Sequence, residues 1–453
     1  GWGEGDLGLR VTLNSKSPSP PPSPGVPTEG VAARDHEHVD ALVRAASQFV
    51  ARVPGDVGGT ESGTALVTDF PWAAPSVRNA LIALPGILLV AGRFAEVRSF
   101  LRSLYAKIDR GLVPSEFPES GAAPLYKACD TSLWWVHAVQ QYLRYSGDAD
   151  ASLRPWLDAI DVIIESHHHG SAPGMTCDED ALLASRVPGC GTTWMDAKVG
   201  DWVVTPRASR PVELNALWYN ALRFGAELHG RRGDALRAKE YADLAARVRE
   251  SFNRRFWNDA EACCYDVVDD HGPDPSVRPN QLLAISLPFP VLDAARHAAV
   301  LDKVTRDLLT PRGVRTLSPH DPSYQGRYAG NVVSRDRAYH QGTAYPWLLG
   351  PLVSATLRVL GRGEKARQQA RQLLAPCLRH LHEDGLGQLP ELFDGDPPHR
   401  PGGATASARS VGELLRALVE EVFDQAPRPG SPAGGTLVDI VTVARPVPAS
   451  PKP

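Results

Sequence analysis

Twelve stretches of this chain repeat apolar residues with the period of an α-helix, and they alternate in character from one to the next. In AEVRSFLRSLYAKID, DALRAKEYADLAARVRESF and GEKARQQARQLLAPCLRHL, charge occupies one face, as on a helix with one side in water. TSLWWVHAVQQYL, ELNALWYNAL and AYPWLLGPLVSATL are apolar nearly all round, which requires burial on every side. The stretches run over 37–52, 78–91, 94–108, 130–146, 151–168, 212–228, 235–256, 279–287, 293–309, 342–360, 364–383 and 406–423. Alternating strand-like runs are few. The pattern predicts an all-α fold, an (α/α)6 toroid in which six outer helices surround six inner ones and a central funnel. An irregular helical array is the competing arrangement.

Composition sets the limits of this body. Gly and Pro number 40 each, and they concentrate at the ends, in SPSPPPSPGVP and in the closing ARPVPASPKP. Such segments cannot pack a core. The expectation is a Pro/Ser-rich, disordered segment over 1–34, a helical domain over 35–425 and a Pro-rich tail over 426–453. Lys and Arg total 48 against 52 Asp and Glu, so the net charge of −4 offers nucleic acid no basic field. The longest uncharged apolar stretches, 80–92 and 344–357, fall short of the ~20 residues of a membrane span. Six cysteines are scattered without CxxC pairs, which signals neither a disulfide framework nor a zinc site. Reduced thiols in a cytoplasmic protein are expected, and the opening GWGEGDLGLRV lacks the features of a signal peptide. His167, His168 and His169 are consecutive, so on a helix they point apart and cannot share an ion.

The polar and aromatic residues gather where loops lead into the inner helices: Arg78 and Asn79, Asp130, Glu213 and Asn215, Arg278 with Asn280 and Gln281, and His340 with Gln341. In a toroid six inner-helix entries, of which these are five, would converge on one end of the body. The densest block is TTWMDAKVGDWVVTPRASRPVELNALWYNAL, with Trp194, Asp196, Lys198, Asp201 and Trp202. An indole face stacks on a pyranose ring while carboxylates grip its hydroxyls, so Trp beside Asp in a loop suits a sugar site. Trp194, Trp202 and Trp218 could equally be core. A second loop, GLGQLPELFDGDPPH, supplies Glu391, Asp394 and Asp396. One acid and one base from two loops meet the minimum for glycoside hydrolysis.

TTWMDAKVGDWVVTPR, PVELNALWYNAL, RPNQLLAISLP, LLTPRGVRTLSP, AYHQGTAYPWLLGP and LPELFDGDPPH resemble, in order, the successive blocks of the glycogen-debranching amylo-α-1,6-glucosidase family, over about residues 40 to 420. The resemblance implies an (α/α)6 toroid that removes the single α-1,6-linked glucose left at a trimmed branch of glycogen or limit dextrin. It also implies inversion of configuration, an α-glucan partner and no cofactor. By the same resemblance Asp196 is the general acid and Glu391 the general base. Trp72, Arg78, Asp130, Trp194, Lys198, Asp201, Glu213, Asn215, Gln281, His340 and Gln341 match positions that hold glucose or tune the two carboxyls.

Two loops depart from that pattern. Where relatives read P-W-F-T-D-W-G-R-D-T this chain reads PWAAPSVRNA, so Pro75 and Ser76 replace Asp-Trp and Asn79 replaces the second Asp. Ser407 and Arg409 stand where Gln and Trp are usual. A carboxylate lost from a sugar site removes a charge-assisted hydrogen bond of roughly 1.5–3 kcal/mol. The expectation is reduced or altered hydrolysis, with binding of α-glucan without efficient hydrolysis as the alternative.

Overall fold

The computed structural model describes residues 28–53, 63–71, 76–118, 123–147, 154–170, 172–185 and 193–425, with side chains from Asp35 onward. Trp72, Pro75, residues 1–27 and the tail 426–453 lie outside the described residues.

The chain is mainly helical. In order it forms α1 (Thr28–Ser47), α2 (Val77–Leu84, continued by a π turn through Leu89), α3 (Phe94–Tyr105), α4 (Thr131–Ser146) and α5 (Arg154–His168). There follow α6 (Val212–Arg231), α7 (Ala235–Arg255), α8 (Leu283–Ser286), α9 (Ala294–Leu308) and α10 (Val332–Ala338). The series ends with α11 (Leu349–Leu360), α12 (Glu364–Leu378), α13 (His380–Glu383) and α14 (Ala408–Ala417, continued by a π turn through Val422).

Local chemistry sets many of these limits. The Ser76 hydroxyl accepts from the Asn79 amide at 3.4 Å to start α2, and Asp234 accepts from the Arg237 amide at 3.1 Å to start α7. Gly147, at φ 59°, closes α4 in the left-handed conformation that glycine adopts without strain.

The six apolar stretches pack in a closed cycle, α2 on α4, α4 on α6, α6 on α8, α8 on α11, α11 on α14, and α14 back on α2. The amphipathic helices pack on members of this cycle. α3 lies on α4, α5 and α7 on α6, α9 and α12 on α11, and α1 on α14. Arg78, Glu213 and Arg409 lie in the first turns of α2, α6 and α14, and Asp130, Gln281 and His340 precede α4, α8 and α11, so all six sit toward the N-terminal ends of the cycle helices.

Three features differ from the sequence expectation. The stretch 279–287 is a 3-10 turn, Pro279–Leu282, followed by the four residues of α8, because Pro288 and Pro290 stop it. The chain is also not purely helical. Five antiparallel strands, Leu309–Thr310, Gly313–Arg315, Ala344–Tyr345, Leu392–Phe393 and Pro401–Gly402, form one sheet, and several two-stranded ribbons join other loops. Strands of two or three residues are too short to show a period of two in sequence. The pairing of Ala344 with Phe393 matters most, since it ties the loop before α11 to the loop bearing Glu391. α10 was also not expected. It is short, is capped by Asn331 through the Ser334 amide at 2.9 Å, and leaves Val332 and Val333 exposed.

α2 and α14 cross where glycine faces glycine. A Cβ on Gly86 would fall inside the Gly412 carbonyl, and a Cβ on Gly412 would press on the Ala83 backbone. Backbone cannot yield as a side-chain tip can, so Gly412→Ala should destabilise the fold by about 2 kcal/mol or more. Denaturant unfolding measures this, and an unchanged midpoint would show that the crossing is not tight.

Candidate active site

The block from Thr193 to Glu213 is anchored from behind by one guanidinium. Arg207 is buried, and its Nε donates to Asp266 Oδ2 at 2.6 Å, its Nη2 to Glu213 Oε2 at 2.6 Å and its Nη1 to Thr193 Oγ1 at 2.8 Å. Burial works against the charge, yet Asp266 and Glu213 outweigh it and the Arg207 pKa rises. Asp266 also accepts from Asn280 Nδ2 at 2.8 Å, and Asn280 Oδ1 accepts the Trp194 indole N–H at 2.8 Å. Trp194 thereby meets His340, Tyr345 and Trp347 edge to face, with centroids 5.3, 5.3 and 5.1 Å away.

Two residues on, Asp196 emerges beside Arg78 at the start of α2. Arg78 Nη1 donates to Asp196 Oδ2 at 2.8 Å and its Nε to Asp130 Oδ1 at 2.7 Å. Burial pushes the Asp130 carboxyl up to about 6, against the pull of Arg78. Asp196 itself is not buried: its side chain is 44% exposed. Trp202 lies on an open hairpin and is itself 44% exposed. Lys198 and Asp201 share this hairpin, 4.0 Å apart. The hairpin packs against α10, and Arg337 lies over the Trp202 ring at 5.3 Å.

Glu391 is the opposite case. It is buried, and its carboxylate accepts from the Tyr339 hydroxyl, from Arg409 Nη2 at 3.2 Å and from the Ala404 amide at 3.1 Å. Gly403, at φ 68°, brings the backbone so close that a Cβ there would collide with the carboxylate. Burial, then the charge of Asp69, raise the Glu391 pKa, while Arg409, Tyr339 and Ala404 oppose them. Arg409 also stands over Tyr345 and Trp347 at 5.9 Å from each.

The two carboxylate clusters share an aromatic wall. Tyr339, bonded to Glu391, lies 4.5 Å from the His340 ring, and His340 lies 5.3 Å from Trp194. Burial and then the charges of Arg409, Arg278, Arg78 and Arg207 hold His340 well below its ordinary pKa, so it is neutral.

Several expected contact residues do not open onto this space, because the protein itself occupies their polar atoms. Asn215 bonds the Leu183 amide at 2.8 Å and the carbonyls of Leu183 and Pro211 at 3.0 and 3.1 Å. Gln281 bonds the Cys264 amide and the Arg278 carbonyl, each at 3.0 Å. Gln341 accepts from Arg278 at 2.9 Å and donates to the Val204 carbonyl at 3.0 Å. Glu213 is committed to Arg207. These residues brace the loops.

Sequence reasoning missed Asp69, Tyr339 and Arg207. Asp69 is buried on a short strand paired with Ala406–Ser407, accepts from Asn79 Nδ2 at 3.3 Å, and has no hydrogen bond on Oδ1 among the described residues. The signals were present: Tyr339 precedes His340 in AYHQG, and Asp69 opens the DFPW run.

A mainly helical body with two arginine-held carboxylates on an aromatic wall is the framework of a helical glycosidase. Among solved structures the chain is similar to a GH78 family rhamnosidase of Bacillus sp. GL1, with TM-score 0.56, 15% identity, and coverage of 85% of this chain and 34% of that one. That likeness concerns the fold alone. The amylo-alpha-1,6-glucosidase family profile matches residues 44–416, and the chain belongs to that family. The glycogen debranching enzyme of Saccharomyces cerevisiae is 25% identical, over 61% of this chain and 24% of its own length. The chain thus spans about a quarter of that relative.

Asp130 gives a pH prediction. Its pKa rises from 3.8 to about 6 on folding, so the native state holds that proton more tightly than the unfolded chain. Its contribution to stability is full below about pH 3.8 and is lost as pH rises through about 6. Asp130→Asn should remove on the order of 2–3 kcal/mol of that pH dependence. Denaturant unfolding at both ends of the window tests it, and an unaltered dependence would mean another group titrates there.

Proposed function

We propose that this chain is an inverting exo-α-glucosidase that releases the α-1,6-linked glucose at branch stubs of glycogen or limit dextrin. In this reading the cycle of six helices is the inner ring of an (α/α)6 toroid, and the loops at their N-terminal ends form its sugar funnel. Supporting the ring is its closure, α14 returning to α2. Asp196, the more open of the two carboxyls, protonates the leaving glycosidic oxygen. Glu391, the enclosed one, takes a proton from the water that attacks the anomeric carbon. Inversion needs room for that water, about 6.5–9.5 Å between the two carboxyls. The observation that carries the reading is that a run of packed rings, Tyr339, His340 and Trp194, leads from Glu391, bonded to Tyr339, to the loop on which Asp196 follows Trp194 by two residues.

The departures acquire a reading here too. Asp69 brings a carboxylate into the neighbourhood that Asn79 leaves without one, and its unfilled Oδ1 suits a sugar hydroxyl. Arg409, in the place of the usual Trp, pairs with Glu391. That ion pair is also what favours the second reading, a glucan-binding homologue with weak hydrolysis, since a carboxylate committed to a guanidinium is a poorer proton acceptor.

Release of glucose from limit dextrin separates the two. Asp196→Asn and Glu391→Gln should each lower kcat by about a hundred- to ten-thousandfold with the fold intact. Undiminished turnover in either would remove that residue from the mechanism.

The base must be ionised, so activity falls as pH drops through the Glu391 pKa, which lies above the usual glutamate range. Arg409 pulls that pKa down, and Arg409→Ala should therefore move the acid limb of kcat/KM to higher pH. A limb that stays in place would mean that Glu391 is not the base.

A further inference from the structure

A cavity of about 490 Å³ is lined by α2, α4, α8, α11 and α14 of the cycle, and neither Asp196 nor Glu391 lines it. Its position follows from helix arithmetic. On α4 it is lined from Trp134 to Arg144, and at 1.5 Å per residue Arg144 lies roughly 20 Å along the helix from Asp130. On α14 the lining begins at Glu413, after Arg409. Trp347 is the partition. It lines this cavity while its ring meets Trp194 at 5.1 Å on the other side.

Polarity is graded from floor to rim. Trp134 and Trp347 form a buried aromatic floor, and the indole N–H of each has no hydrogen-bond partner among the described residues. The α14 wall carries the buried carboxylates Glu413, Glu420 and Glu421, gathered around Arg416 at 2.8, 3.3 and 3.8 Å. Three exposed arginines ring the mouth. Arg362 pairs with Glu421 at 2.8 Å. Arg144 donates only to the Gln141 amide oxygen at 2.6 Å, and Arg358 only to the Leu287 carbonyl at 2.9 Å. Neither has a carboxylate within ion-pair distance among the described residues.

Glu421 and Glu420 act on Arg358 and Arg144 from beyond ion-pair distance, so both guanidinium groups keep donors that a ligand anion can take up. A planar guanidinium is suited to phosphate oxygens, which it can hold two at a time. Below the mouth the wall offers acceptors for hydroxyls, and the floor offers ring faces for a pyranose. The volume falls within the range of small-ligand sites. We infer that this cavity is a second ligand site, for a hexose phosphate whose phosphate sits among Arg144, Arg358 and Arg362 and whose sugar ring rests over Trp134 and Trp347. The inference does not depend on the hydrolytic role of the opposite end.

Calorimetric titration of the full chain with glucose 6-phosphate, glucose and inorganic phosphate tests it. Glucose 6-phosphate should bind saturably, and glucose and phosphate each about tenfold or more weakly, because each offers half of the contacts. Raising the salt concentration should weaken binding, as for any partly exposed ion pair. The variant R144A/R358A should lose about tenfold or more in affinity, and Glu391→Gln should bind as the unaltered chain does. If the double variant does not fold, Arg358→Gln alone, at an exposed position, should show the same direction of loss. Absence of saturable binding, affinity unchanged in the arginine variants, or loss of binding in Glu391→Gln would each overturn the assignment.

Discussion

The buried guanidinium of Arg207 holds the loop from which the proposed acid projects. It bridges Thr193, Glu213 and Asp266, which belong to the start of the loop, the first turn of α6 and the strand region before α8. Because these groups are buried, removing the guanidinium would leave Glu213 without its cation, a loss of about 3–5 kcal/mol. From that point the order is mechanical. Asp266 fixes Asn280, Asn280 fixes the Trp194 indole, and Trp194 locks against His340, Tyr345 and Trp347. Asp196 follows two residues later, with its direction already set.

The two carboxylates of the site are treated differently by their surroundings. Asp196 faces solvent on one side and Arg78 on the other, whereas Glu391 is enclosed by Tyr339, Arg409, Ala404 and the close backbone at Gly403. Burial alone would favour the enclosed Glu391 as the proton donor, so its proposed role as base rests on Arg409, whose charge pulls its pKa down. Arg409 is central to the contrast. It brings a positive charge to Glu391 and lies over Tyr345 and Trp347, so one substitution in the usual family pattern alters both the charge and the packing of the wall.

Much of the helical framework was legible because a buried helix and a half-exposed one differ over a dozen residues or more. TSLWWVHAVQQYL and DALRAKEYADLAARVRESF cannot exchange places. Two-residue strands carry no such statistic, and the pairing of Ala344 with Phe393 is decided by the partner across the ladder. In the site, residue type and position at helix starts pointed to Arg78 and Asp130, and the family resemblance pointed to Asp196 and Glu391. Which way a polar side chain turns was not legible. Asn215, Gln281 and Gln341 stand at the expected positions yet serve backbone groups and neighbouring side chains, while Asp69 and Tyr339, single polar residues in unremarkable runs, enclose the site.

The central claim is that Asp196 and Glu391 act as acid and base on opposite faces of one sugar, with water attacking directly. The configuration of the glucose released from limit dextrin, followed by NMR within the first turnovers and before mutarotation, tests this most directly. Single displacement at an α-linked glucose yields β-glucose first. Initial release of α-glucose would mean a covalent intermediate and would contradict the account.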